Sequence, residues 1–295
     1  IDRGEVVCIV GESGCGKSLT ALSLLGLLPE TAFHASGSIR FEGRSIEGLT
    51  DRQFQTIRGN RIAMIFQEPM TSLNPTLRIG RQVMEPMRLH RGLGRAEAHD
   101  QALSVLKSVG IPEARRRMDE YPHQLSGGMR QRVMIAMAIC CNPALLIADE
   151  PTTALDVTIQ AQILDLLRAL VMERQMAVLF ITHDLGVVAE IGHRVLVMYA
   201  GRIVEAATVK ALFESPLHPY TRGLMASVPR IEAREDMLHS IPGVVPGIKE
   251  MVDIGCRFAS RCDRCMSVCR EKTPAAIPIK PDHSVACHLY KEETG

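Results

Sequence analysis

Eight consecutive residues, Gly11-Glu12-Ser13-Gly14-Cys15-Gly16-Lys17-Ser18, have the types and spacing to hold phosphate. Glycines at the first, fourth and sixth places let the backbone curl so that successive N–H groups point inward, and a following helix N-terminus reinforces the pull on an anion. Lys17 supplies a point charge for β- and γ-phosphates, and the Ser18 hydroxyl can ligate Mg²⁺. A pair of acids, Asp149 and Glu150, closes the apolar run Leu145–Ala148. Asp149 suits magnesium, held through water, and Glu150 suits a general base that polarises an attacking water. The bland alternative for the pair is a helix cap ahead of Pro151-Thr152. Read together, these residues could hydrolyse a nucleoside triphosphate, and they say no more than that.

The elements that must position them are visible as patterns. Glu5–Val10 is a short apolar run that predicts a buried strand leading into the glycine-rich turn, and Leu19–Leu28 suits a helix ended by Pro29. Ile62–Phe66, Leu145–Ala148 and Ala177–Thr182 predict further buried strands, with an amphipathic helix over Val157–Arg174. Gly37–Ile46 around Glu42-Gly43, and Val195–Val204 around Ala200-Gly201, read as hairpins. From about Thr76 to Ala138 the helical period dominates. Beyond Ser215 the prolines thicken and periodicity fades, which predicts an irregular appendage held by local staples. Alternating strands and helices argue for an α/β fold with a mostly parallel sheet.

Composition excludes several classes. With 46% apolar and 23% charged residues the chain is not disordered, and a net charge of +1 gives no reason to expect a nucleic-acid or anionic-lipid partner. The longest apolar stretch, Val133–Ala148, is broken by Asn142-Pro143 and is too short to span a bilayer. Cys8, Cys15, Cys140 and Cys141 sit in apolar or glycine-rich surroundings as reduced thiols do, whereas five of the nine cysteines crowd into Cys256–Cys287.

Leu125-Ser126-Gly127-Gly128-Met129-Arg130-Gln131-Arg132 narrows the reading. It resembles the LSGGQ signature of ATP-binding-cassette (ABC) ATPases, with Met129 where glutamine is commonest. Gln67, the Ala154-Leu155-Asp156 segment and His183 follow the same family's Q-loop, D-loop and switch histidine in order. The resemblance implies an ABC-type nucleotide-binding fold: a RecA-like core with an antiparallel β part over 1–75 and 141–215, a helical signature subdomain over 76–140, and a C-terminal metal-binding extension over 216–295. It implies ATP held by Gly11, Ser13, Gly14, Cys15, Gly16, Lys17, Ser18 and Leu19, with Mg²⁺ on Ser18, Gln67 and Asp149. Glu150, His183 and Gln67 would be catalytic, and Ser126, Gly127, Gly128 and Asp156 would complete the site of a second ATPase subunit in a homo- or heterodimer. The family's adenine-stacking aromatic lies upstream of the first strand, before Ile1, so a truncated start is expected.

Glu68-Pro69-Met70-Thr71-Ser72-Leu73-Asn74-Pro75, His218-Pro219-Tyr220-Thr221 and Gly255–Cys262 are similar to stretches of the oligopeptide/dipeptide/nickel importer ATPases. That likeness implies a peripheral subunit on the cytoplasmic face of the inner membrane. Its partners would be two transmembrane permeases, coupled near Gln67–Pro75, and an extracytoplasmic peptide-binding protein. Dipeptide, oligopeptide, glutathione and nickel importers stay open as alternatives. A soluble ABC ATPase of DNA repair or translation is disfavoured by the single cassette without a long coiled-coil insertion. The tail spacing C-x5-C-x2-C-x3-C-x17-C, with His283 and His288 nearby, suits an iron–sulfur cluster or zinc. The resemblance implies a [4Fe–4S] cluster on Cys256, Cys262, Cys269 and Cys287, with Cys265 spare and Zn²⁺ as the alternative.

Overall fold

Apolar runs become strands and the predicted turns fall between them. In a computed structural model describing residues 1–29, 36–67, 72–153, 155–227, 241–247 and 254–290, the strands are β1 (Val6–Val10), β2 (Arg40–Phe41), β3 (Arg44–Ser45), β4 (Ile62–Ile65), β5 (Leu145–Asp149), β6 (Ala177–Thr182), β7 (Arg194–Tyr199), β8 (Arg202–Thr208), β9 (Ile277–Lys280) and β10 (His283–Val285). Two compact units are built from them: Ile1–Glu5 with Leu19–Phe180, and Val6–Ser18 with Ile181–Gly295.

In the first unit β4 and β5 run parallel, Ile62 opposite Leu145 and Ile65 opposite Ala148, followed in strand order by β6. All six residues of β6 are buried, as a strand covered on both faces requires. The predicted helical stretch resolves into Ile79–Arg91, Arg95–Ser108, Ala114–Arg117 and Gly127–Ile139. These bury Val83, Met87, Ala98, Ala102, Leu106, Val133, Ile135 and Ile139, the apolar stripes that hold them together. Gly80 is where two backbones meet: a Cβ there would stand 3.0 Å from the Met118 carbonyl oxygen, which accepts the Gly80 N–H at 2.8 Å. The Val157–Arg174 helix has the predicted bounds and is capped by Asp156, whose carboxylate accepts the Ile159 N–H at 2.9 Å. β2 and β3 pair antiparallel through Glu42 (φ 48°) and Gly43 (φ 77°), the expected hairpin.

The second unit orders β1-β7-β8-β10-β9. β1 and β7 are parallel, and β7 turns through Ala200 (φ 45°) and Gly201 (φ 78°) into antiparallel β8. The C-terminal region departs from the irregular appendage expected of it. His283–Val285 pairs antiparallel with Ala207–Glu205 of β8, and β9 pairs with β10 in turn, so the tail extends the sheet. Glu205, only 1% exposed, anchors this addition. Its carboxylate accepts the backbone N–H groups of Leu217 and His218, both at 2.8 Å, and pairs with His283 Nε2 at 2.7 Å. Leu217, Ile277 and Val285 form a small core of their own, with Ile279, Cys287 and Tyr290 packed against it. Among the described residues no helix is long and apolar enough to cross a membrane.

Candidate nucleotide site

The glycine-rich turn follows β1 and enters the Lys17–Leu24 helix, as phosphate cradling requires. Gly11 has no room for a side chain: a Cβ would sit 2.2 Å from the Met198 carbonyl oxygen and 2.8 Å from Cys15 Sγ. Gly14 (φ 79°) and Gly16 (φ 102°) take the left-handed backbone that the curl demands. Lys17 is buried, and its Nζ donates to the carbonyls of Gly11 at 2.8 Å and Glu12 at 3.1 Å, so the ammonium lies against the loop. The far side of the loop is tied to the β7–β8 turn, where the Gly201 N–H donates to the Cys15 carbonyl at 2.7 Å. Burial holds the Cys15 thiol above its ordinary pKa, with nearby Lys17 pulling the other way. Ser13, Gly14, Ser18 and Leu19 are exposed, open to a ligand. His183, also exposed, follows β6 and precedes Asp184, whose carboxylate caps the Leu185–Ile191 helix by accepting the Gly186 N–H at 2.8 Å.

In the first unit, Asp149 ends β5 almost wholly buried and Glu150 follows at φ 47°. A non-glycine residue in the left-handed region costs about 1 kcal/mol or more. The Glu150 carboxylate accepts from Thr153 Oγ1 at 2.9 Å and from Gln67 Nε2 at 3.3 Å. Gln67 and Glu150, 83 residues apart, are therefore brought together. Ser126 caps the Gly127–Ile139 helix, accepting the Met129 N–H at 3.3 Å, and leaves Ser126 and Gly127 exposed. Gly128 packs on the first turn of the helix that Asp156 caps, since a Cβ there would stand 3.0 Å from Ile159 Cγ2. Gln131 Nε2 donates to the Pro151 carbonyl at 2.5 Å, joining the signature helix to the turn after Glu150. Residues 68–71 and 154 lie outside the described residues. Asn74, beyond the first of these gaps, is held by buried Gln82, which receives the Asn74 N–H at 2.9 Å and donates to its carbonyl at 3.0 Å.

The tail cysteines are neighbours without being a ligand set. Burial raises the pKa of the Cys256, Cys262 and Cys287 thiols, and negative charge on the surrounding cysteines raises each further. Among the described residues, no three His, Cys, Asp or Glu side chains come together closely enough to hold a metal ion. The expected cluster on Cys256, Cys262, Cys269 and Cys287, like its zinc alternative, is not assembled there. Cys287 packs against the Leu217–Ile277–Val285 core. Nor do the two tail histidines face the thiols: His283 is paired with Glu205, and His288 Nε2 donates to the Lys272 carbonyl at 2.7 Å.

Sequence reasoning missed Tyr220 and Arg261. The Tyr220 hydroxyl accepts the Glu12 N–H at 2.9 Å, and the Arg261 guanidinium grips the Glu12 carboxylate at 2.7 and 3.0 Å. Both stood inside quoted stretches, Tyr220 in His218–Thr221 and Arg261 in Gly255–Cys262, but nothing in either stretch marks a contact with Glu12.

Known proteins give this geometry a setting. Residues 1–153 match the ABC transporter family, and residues 204–269 match the oligopeptide/dipeptide transporter C-terminal region. The "Probable peptide ABC transporter ATP-binding protein" of Sinorhizobium fredii is 57% identical to the chain, over 99% of this chain and 88% of its own. The oligopeptide transport ATP-binding protein AppD of Bacillus subtilis is 51% identical, over 99% and 89% respectively. A solved dimeric, post-hydrolysis state of an ATP-binding cassette bound to ADP and Pi is 32% identical with a TM-score of 0.61, covering 71% of this chain and 87% of that one. The chain belongs to the ABC transporter ATP-binding family, among the members that carry the oligopeptide/dipeptide C-terminal region.

Proposed function

We propose that this chain hydrolyses ATP to power import of dipeptides or oligopeptides across the inner membrane. It would work from the cytoplasmic face, paired with a second ATPase subunit beneath two permeases that an extracytoplasmic peptide-binding protein supplies. The observation that carries the reading is the phosphate loop: Gly11–Ser18 curls around buried Lys17 in a chain whose residues 204–269 match a peptide-transporter region. The peptide and oligopeptide names of its relatives support the substrate class.

In this reading residues 1–75 with 141–215 form the catalytic core, 76–140 the signature subdomain and 216–295 the extension. Lys17 and the loop N–H groups neutralise the phosphates, while Ser18, Gln67 and Asp149 hold Mg²⁺. Glu150 draws a proton from the attacking water and His183 senses the γ-phosphate. The exposed Ser126–Gly127 turn opens a 13-residue helix, and its N–H groups suit the γ-phosphate held by the second subunit. ATP then joins two subunits and hydrolysis releases them.

Replacing Glu150 by glutamine keeps the shape of the side chain and removes the base. The expected result is a fall in kcat of about 10²-fold or more, with an ATP-dependent dimer accumulating on size-exclusion chromatography. Hydrolysis at the wild-type rate would remove Glu150 from this role.

The tail cysteines belong to the same proposal. Their spacing supports a cluster, which would be [4Fe–4S] on Cys256, Cys262, Cys269 and Cys287, with a structural or regulatory part to play and zinc as its rival. Anaerobically purified protein should contain iron and acid-labile sulfide and absorb near 400 nm, a general mark of such clusters. Stoichiometric zinc in colourless protein would decide for the rival.

A further inference from the structure

Glu12 places a carboxylate inside a loop built for phosphate. A negative charge beside a polyanionic ligand opposes binding unless it is neutralised. The structure neutralises it with one residue from the cysteine-rich tail. Arg261 meets both Glu12 carboxylate oxygens, Nη1 at 2.7 Å and Nη2 at 3.0 Å, with its own side chain only 4% exposed. The guanidinium is held independently of Glu12. Its Nε donates to the Pro242 carbonyl at 2.8 Å, Nη2 donates to the carbonyls of Ile241 and Gly243 at 3.2 Å each, and it lies 5.7 Å from the Tyr199 ring centroid. A cation fixed by backbone acceptors and an aromatic face is already placed when the carboxylate meets it.

Two further contacts tie the same tail to the same loop. The Glu12 N–H is taken by Tyr220, whose ring packs with Tyr199 and Phe258 at centroid distances of 4.7 and 5.4 Å. Arg257, next to Cys256, donates to the carbonyl of Ala200, and the following residue, Gly201, donates to Cys15 of the loop. The loop is thus held at its second residue and at its fifth, each time through an arginine beside a tail cysteine.

We infer that Arg261 is a positioning residue for nucleotide binding: it cancels the Glu12 charge and fixes the phosphate loop, so that affinity for ATP depends on the folded cysteine-rich tail. The inference rests on the reading of Gly11–Ser18 as the nucleotide site.

The test is ATP affinity of the full chain, measured by titration with a fluorescent ATP analogue and by competition with ATP. Arg261→Ala and the larger, neutral Arg261→Gln should each weaken binding at least about fivefold, the low end of coupling between linked sites. Adding Glu12→Gln to either variant should recover most of that loss, because the uncancelled charge is then gone. A scaffold defect alone would not be repaired by removing a second side chain. Wild-type affinity in Arg261→Gln, or no recovery in the double variant, would overturn the inference. Lys17→Ala separates the two readings. Undiminished ATP binding in that variant would overturn the nucleotide site itself, whereas lost binding there beside an unaffected Arg261→Gln would overturn only the role of Arg261.

Discussion

His218 is 1% exposed, its ring 5.7 Å from that of Phe258, with Nδ1 accepting the Tyr220 N–H at 3.1 Å. Its Nε2 has no hydrogen-bond partner among the described residues, so an added proton would find no acceptor. Burial pushes its pKa down to about 4, while the unfolded chain keeps the ordinary value near 6.5. Glu205 sits close by but spends its carboxylate on backbone N–H groups and on His283. The sign follows directly. Between pH 6.5 and about 4 the unfolded state binds a proton that the folded state refuses, so stability is full above 6.5 and declines through that window. The loss from this group alone is on the order of 3 kcal/mol at pH 4, at about 1.4 kcal/mol per pKa unit. His218→Asn keeps a capping acceptor for Tyr220 and cannot titrate. Urea denaturation from pH 7 to 4 should show a shallower decline for this variant than for wild type, and parallel curves would refute the assignment.

Elements were legible where one physical signal dominated. The buried strands β1, β4, β5 and β6 came from short apolar runs, the mark of a strand covered on both faces. The two hairpins were betrayed by the turn glycines Gly43 and Gly201, which accept positive φ, each following a residue (Glu42, Ala200) that the turn also holds there. β9 and β10 were not legible: Ile277–Lys280 is interrupted by Pro278, His283–Val285 is three residues long, and both owe their form to pairing that starts on β8. The same limit applies to the site. Gly11–Ser18, Asp149–Glu150 and Ser126–Gly128 are local patterns that spacing alone marks out. The Arg261–Glu12 pair joins residues 249 apart in the chain, and no periodicity records such a meeting. Polar networks like the one on Glu205 escape a sequence reading for the same reason. A buried glutamate looks like any other until its partners are seen.

At the scale of the whole molecule, the tail is part of the second unit's fabric, since its two strands prolong the sheet and its arginines reach the phosphate loop. Among the described residues the order β1-β7-β8-β10-β9 ends on Ile277–Lys280, a strand with a proline second and a lysine last. A proline is tolerated in a ladder where its missing N–H faces outward, and a lysine at the rim adds a charge that any docking strand would have to desolvate. β9 therefore works as a stopper. It denies neighbouring molecules a template on which to add strands. Pro278→Val would return a donor to that rim. Concentrated solutions of the variant should scatter light increasingly with time while the wild type stays clear, and equal clarity would mean that the charge of Lys280 suffices. Cutting the chain after the 204–208 segment would be worse, for it would strip β8 of its cover and turn a sealed margin into an open one.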